Sequence, residues 1–355
     1  MMQAQENVIE EPSTYQWIDI FKFFFCICII ALHSDIQLPG AYWIDKLLFR
    51  LAVPFFFVSS GFFLSKSCKK RSIDVAVKRY CLRLLELLAA FSIIWILQFW
   101  VDCVINKIGL GNTLLQTLQH ILFLPNNGLW YIHASIVGAL LMIPFFTNGH
   151  IGTAIGIGFV LYGFALLCNN YYFLIQDSIL QPLIDSYTKI FIGPHNGIFV
   201  GFLFLALGAF TEQHLQNYPR GILCMLLAVS YAIYTVEVVI VSRHVTKTDD
   251  GAFYLNLVFV APLLIALLVK QTGWFNLERT IQMRHLSTGM YLLHLPLMWC
   301  YHRFRDYILP HIPVLRHGQG ILMNGCVKFA TIALLSFIIC QLAYRHTNRL
   351  KRYLM

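Results

Sequence analysis

Residues 17–37 read WIDIFKFFFCICIIALHSDIQ. The stretch is long enough to cross a bilayer, which takes about 20 apolar residues in helical form. It nevertheless carries Asp19, Lys22 and His33. A charged side chain at membrane depth costs at least about 2.5 kcal/mol, so such groups face a protein interior or a wet cavity rather than lipid. Lys22 and His33 are eleven residues apart. That is close to three turns at about 3.6 residues per turn, so they share a face about 16 Å apart along the axis. Asp19 stands three residues before Lys22, a spacing that lets the two pair on the helix surface.

The rest of the chain has the same character. Hydrophobic residues make up 58% and charged residues 12%, a balance that places the protein in the membrane class. No polar stretch is long enough for a separate soluble domain. The formal charge of +9 does not argue for nucleic acid, because membrane proteins collect Lys and Arg in cytoplasmic loops and no nucleic-acid-binding signature interrupts the apolar runs. The cysteines, among them Cys26, Cys28, Cys224, Cys300 and Cys340, sit mostly in apolar segments without CxxC or zinc spacing. They read as small buried hydrophobes, and no metal is expected. Residues 1–16 are polar and acidic. They lack the basic start and cleavage site of a signal peptide, so the first helix is expected to stay as an uncleaved anchor.

Nine further apolar segments follow, at 47–64, 80–101, 128–146, 151–167, 190–210, 221–241, 253–269, 286–309 and 320–343. The expectation is an all-α integral membrane protein of about ten transmembrane helices. Its membrane domain covers 17–343, between a short tail (1–16) and a basic tail (344–355). The joint after the second segment holds Lys66, Lys69, Lys70, Arg71, Lys78, Arg79 and Arg83, which assigns it to the cytoplasm. Alternation then predicts both termini cytoplasmic, Lys22 near the inner face and His33 near the outer face. The outer connections are expected at 33–46, 102–127, 169–189, 242–252 and 306–318. No sharp internal repeat is visible, which weighs against a secondary transporter.

Several segments carry polar residues with two readings. Ser59, Ser60 and Gly61 in VPFFFVSSGFFL form a small-residue patch that suits close helix packing. Arg79, Arg83 and Glu86 share one helical face. With the preceding lysines they form a basic inner patch suited to phosphates, set against plain positive-inside topology. In NNGLWYIHASIVG, Asn126, Asn127, Trp130 and His133 stand near the outer interface, where Trp is commonly a belt residue. His195 and Asn196 open a Gly-rich segment. Glu237 is a buried-charge candidate within reach of Arg243. Tyr291 and His294 lie one turn apart in GMYLLHLPLM, and Lys328 needs a partner.

Taken in order, IDIFKFFFCICIIALH, VPFFFVSSGFFL, NGLWYIHASIVG, HNGIFVGFLFLALGAF and GMYLLHLPLM resemble the acyltransferase-3 family of integral membrane proteins over nearly the whole chain. The first matches that family's helix-one pattern of a basic residue, ten residues, then His. Here the basic residue is Lys22 rather than the usual Arg, which keeps the charge and loses the bidentate fork. His195 stands where many relatives have Arg. Within the family the chain resembles stand-alone relatives of the membrane domain found in the vancomycin-resistance serine racemases.

The resemblance implies transfer of an acyl group, most often acetyl, from acyl-CoA to a hydroxyl of a saccharide or other cell-envelope molecule. It also implies a bacterial cytoplasmic membrane. His33 would act as general base on the acceptor hydroxyl, with a transient acyl-histidine as the other route. Lys22, Arg79 and Arg83 would hold the donor phosphates, and Asp19 would orient them or brace the helix. Tyr291, His294, Trp130 and His195 complete the site as substrate-binding candidates. Two other readings stay open. One is a transporter or flippase that uses the buried charges as a substrate or proton path. The other is a catalytically silent membrane partner.

Overall fold

The structure is a computed structural model that describes residues 15–123, 128–191, 193–244, 251–271, 273, 275–312 and 319–346. Among these residues it is entirely helical. The helices are α1 (Gln16–Leu32), α2 (Ala41–Leu47), α3 (Ala52–Lys70), α4 (Ile73–Ile105), α5 (Leu110–Phe123), α6 (Trp130–Asn148) and α7 (Ile151–Leu167). They continue with α8 (Gln181–Phe191), α9 (Phe202–Gln213), α10 (Arg220–Ser242), α11 (Leu257–Val269), α12 (Leu277–Arg303), α13 (Gln319–Leu322) and α14 (Gly325–His346).

Each of the ten apolar segments coincides with a helix. Among the described residues, six helical stretches are long and apolar enough to cross a membrane: Ala41–Lys70, Ile73–Ile105, Trp130–Asn148, Gly197–Asn217, Arg220–Ser242 and Gly325–Arg345. The helices α7 and α11 are apolar but shorter. α1 has only 17 residues, and α12 carries several ionised side chains. Three of the expected connections hold helices of their own, α2, α5 and α8. On α5 the apolar residues Leu110, Leu114, Leu118 and Ile121 are all exposed. That spacing leaves an unpaired helical stripe, which suits a bilayer surface.

The centre of the molecule is the contact of α3 with α9. Phe55, Phe57, Phe62 and Phe204 are buried there completely. Two glycines allow the approach. A Cβ on Gly61 would overlap the Leu205 carbonyl oxygen, and one on Gly208 would overlap the Val58 carbonyl oxygen. The small-residue patch at 59–61 is therefore a packing surface. At the far end of this contact, buried Glu212 accepts from Ser65 (3.0 Å) and pairs with Lys69 (2.7 Å).

α1 ends sooner than the apolar run suggests. The Ser34 hydroxyl donates back to the Ile30 carbonyl at 2.6 Å, and Asp35 takes a positive φ of 54°. A Ser side chain bonded to the i−4 carbonyl competes with continued helix, so His33 becomes the C-cap of α1 rather than a residue on its face. Glu237 also finds a different partner from the one expected. Its carboxylate accepts the backbone N–H of Leu255 and Asn256, the Asn256 amide and the Tyr171 hydroxyl. It thereby caps the start of α11, satisfying amide groups that a helix N-terminus leaves open, and Arg243 is not needed for that.

Replacing Gly208 by Leu should separate α3 from α9 and lower stability by at least about 1–3 kcal/mol, the usual cost of overpacking. Gly156, whose Cβ would meet nothing within 4 Å, supplies the control. Melting of Gly208→Leu and Gly156→Leu in detergent should show a drop for the first alone.

Candidate functional site

Two parallel helices, α1 and α12, carry most of the site. Asp19 in the first turn of α1 is 2% exposed. Its carboxylate is gripped by both arms of Arg284, Nε to Oδ1 at 2.9 Å and Nη2 to Oδ2 at 2.7 Å. The expected surface pair with Lys22 is thus replaced by a pair between helices. A guanidinium presents two donors in the geometry of a carboxylate, which an ammonium does not. Lys22 Nζ instead rests 4.8 Å from the centre of the Phe63 ring. It lies within electrostatic range of Asp19, Arg284 and Arg83. This end of the site therefore gathers three cations around one carboxylate, a net charge near +2. Lys66 approaches from α3, its ammonium bonded to the Tyr15 hydroxyl at 2.5 Å. Arg79 is exposed on α4, one turn before half-buried Arg83.

The opposite end of the same two helices holds histidines. His33 and His294 face each other with ring centres 5.4 Å apart and planes inclined by 33°. His33 is solvent-accessible, whereas His294 is 1% exposed. His294 Nδ1 bonds the carbonyl oxygen of Tyr291 in its own helix. Its Nε2 is buried without a hydrogen-bond partner among the described residues, a state that costs about 1–3 kcal/mol for a polar group. Tyr291 packs on His294 (5.6 Å between rings) and on Tyr131 (5.8 Å), and its hydroxyl donates to the Gly128 carbonyl.

Beside His33 a recess of ≈ 680 Å³ is lined by Asp35, Gln37, Tyr42, Asp45 and Arg50 among others. Lys328 meets Asp35 at 2.5 Å, which supplies its missing partner. Asp45 holds Arg50 and Lys46, each at 3.1 Å. Across α12 a second, apolar cleft of ≈ 230 Å³ lies against α4, with Phe91, Trp95, Leu295 and Trp299 in its walls and Tyr291 and Gly128 at its edge. Asp102 closes the side of α4 there, accepting from the Trp299 indole (2.9 Å) and pairing with Arg303 (2.5 Å).

Trp130 and His195 form a separate group. Their rings meet edge to face at 5.0 Å, and His195 lies 4.6 Å from Phe253. Trp130 also packs on buried Phe57 (5.9 Å), so it is part of the protein interior rather than a lipid belt alone. Asn196 caps the π-turn Gly197–Gly201, its Oδ1 accepting from Ile198 and Phe199. His133 is half-buried on α6, and Asn126 and Asn127 lie outside the described residues. Among the described residues no three metal-ligating side chains cluster.

The structure thus joins Lys22, Asp19 and Arg83 at one end, and His33, His294 and Tyr291 at the other. It keeps Trp130 and His195 together, joined to the Tyr291 end only through Phe57, which packs on Trp130 (5.9 Å) and on Tyr131 (4.6 Å). Sequence reasoning missed Arg284. The signal that was available is its spacing: Arg284 precedes His294 by ten residues on one helix, much as Lys22 precedes His33.

The family model of an acyltransferase domain, acyltransferase-3, matches residues 15–345. The chain belongs to the acyltransferase-3 family, and its long apolar helices suit a multi-pass membrane protein. It is similar to an amino-acid racemase of Enterococcus faecalis, 25% identical over 350 residues, covering 94% of this chain and 46% of that protein. A serine/alanine racemase of Enterococcus gallinarum is 25% identical over 356 residues, covering 93% of this chain and 46% of its own length. The chain therefore spans about half the length of these relatives. No solved structure matches it.

Removing Arg284 alone should leave the buried Asp19 carboxylate without the guanidinium that grips it. Arg284→Met is expected to cost about 3–5 kcal/mol, and the double variant Asp19→Leu/Arg284→Met to regain most of it, as for other buried pairs. Thermal unfolding in detergent of the two variants beside the wild type reads both effects.

Proposed function

We propose that the protein is an O-acyltransferase that takes an acyl group, most often acetyl, from acyl-CoA and gives it to a hydroxyl of a saccharide or other cell-envelope molecule. The observation that carries this reading is the layout along α1 and α12. A cationic cluster stands at one end and an accessible imidazole at the other, about 16 Å away by helical rise. Phosphates of the donor suit Lys22, Arg83 and Arg284, because Arg and Lys bind them through charge-assisted hydrogen bonds. Arg79 is the outermost cation on that path. An extended pantetheine arm then carries the thioester toward His33.

In the reaction, the acceptor hydroxyl gives its proton to a nitrogen of His33 as its oxygen attacks the thioester carbonyl. The C–O bond forms, the C–S bond breaks, and the sulfur leaves with the proton that His33 returns. The recess beside α1, with Asp35, Tyr42, Asp45 and Arg50 set among apolar residues such as Leu38 and Phe49, offers polar partners to a hydroxyl-bearing acceptor. In this reading the cationic end faces the cytoplasm, where acyl-CoA is made, and the membrane is a bacterial cytoplasmic one. Tyr291 shapes the site, and Trp130 with His195 serves the acceptor side.

One observation favours a second reading. The relatives are named for racemising amino acids, and a membrane domain that moves a small amino acid across the bilayer would serve such an enzyme. Accumulation of labelled substrate in sealed vesicles, with no covalent product, would be its signature.

Radiolabelled acetyl-CoA and envelope extracts, given to purified protein, test the proposal. His33→Ala should remain folded and lose at least about 100-fold in turnover, the scale of general-base catalysis. Undiminished turnover in that variant would remove His33 from the mechanism. Lys22→Ala should mainly raise KM for the donor, roughly 10-fold, the worth of a charge-assisted hydrogen bond.

A further inference from the structure

His294 Nδ1 is bonded to a carbonyl oxygen, that of Tyr291. A carbonyl only accepts, so Nδ1 carries the proton of the neutral ring and Nε2 is left with its lone pair. That lone pair is buried, at a residue 1% exposed, and has no partner among the described residues. The donors next to His294 and around His33 are already engaged. The Tyr291 hydroxyl is given to Gly128, Lys328 to Asp35, and Arg50 to Asp45. The ring that faces His294 is that of His33, at 5.4 Å between centres.

We infer that His294 is a positioning residue for His33: its bare Nε2 is the acceptor that the N–H of the facing His33 ring takes up in the working protein, which fixes which His33 nitrogen carries the lone pair. The tautomer of a histidine is set by the bond its other nitrogen makes. With one nitrogen committed to His294, the second is left as the base, on a ring that is exposed. The catalytic half of this inference rests on the acyl-transfer reading. When His33 takes the acceptor's proton, both its nitrogens carry hydrogen. One N–H remains on His294 and the other returns its proton to the departing sulfur, so no net proton passes to His294.

The choice of imidazole as the orienting group has a physical reason. Serine hydrolases use a buried carboxylate behind their histidine. A carboxylate at this depth would need its own compensation, since an ionised group inside a membrane protein is costly. A neutral imidazole accepts the same hydrogen bond without adding charge. It is itself held rigid by the Tyr291 carbonyl, as outer hydrogen bonds hold the ligand histidines of metal sites.

The test combines two readouts on the full chain in detergent. Protein labelled with ¹⁵N-histidine, with the His33 signal assigned by its loss in His33→Gln, reports the tautomer directly and needs no substrate. The wild type should show one His33 tautomer, and His294→Leu a mixture. With acetyl-CoA, His294→Leu should lose about 10- to 100-fold in kcat, the range seen when an orienting hydrogen bond is removed, with KM for the donor unchanged. His294→Gln, whose amide oxygen accepts a hydrogen bond, should recover most of that loss. Mixed tautomers in the wild type, or an unchanged kcat in His294→Leu, would overturn the inference; the wild-type spectrum alone decides if the Leu variant does not fold. A single tautomer in a wild type that turns over no acyl-CoA would uphold the histidine pairing and reject the acyl-transfer reading.

Discussion

The arrangement of this molecule depends on the fork between Asp19 and Arg284. Two parallel bonds of 2.9 and 2.7 Å fix both the height and the rotation of α1 against α12. One ammonium contact would leave the helices free to turn. Buried ion pairs pay a desolvation cost that often cancels their attraction, and their best-attested use is to set register. Here the register is what places His33 beside His294. Asp19 precedes His33 by fourteen residues and Arg284 precedes His294 by ten. A long side chain on a helix leans toward its N-terminus, so Arg284 reaches back along α12 and absorbs the difference.

The same pair changes the meaning of Lys22. With Asp19 neutralised by Arg284, the ammonium of Lys22 is not spent on the carboxylate, and its near neighbour is the face of Phe63. Together with Arg83 it leaves the cationic end with an excess of positive charge held among protein groups. The bidentate cation at this end comes from α12, and its fork is spent on Asp19. The basic residue and the histidine of α1 are mirrored by Arg284 and His294 on α12.

Much of the fold was legible because the apolar runs are long and uniform; residues 151–167 coincide with α7. What was hidden depended on short-range chemistry or long-range pairing. The stop of α1 lies in the Ser34 hydroxyl and the left-handed Asp35, inside a run that composition alone would continue. α2, α5 and α8 are short and amphipathic, so they read as polar connections. The partner of Asp19 is 265 residues away, and nothing local announces it. Glu237, expected as a buried charge, is half-buried, and its partners include backbone N–H groups, which every sequence has and none displays. For the site, the functional residue types were visible one by one, and their grouping into two ends was visible only on helix one.

Because α1 and α12 run in the same direction, their peptide dipoles are aligned. Parallel neighbours repel weakly, whereas the up-and-down order of most bundles cancels the two fields. Here they add. Both N-termini, with a partial charge of about +0.5 each, point toward the end that holds Lys22 and Arg284, and reinforce a field that draws anions. The C-terminus of α1, about −0.5, falls at His33, its own C-cap. The backbone itself thus polarises the protein along the line from the Lys22 end to His33, favouring anions at the first and a cation at the second, before any side chain is counted.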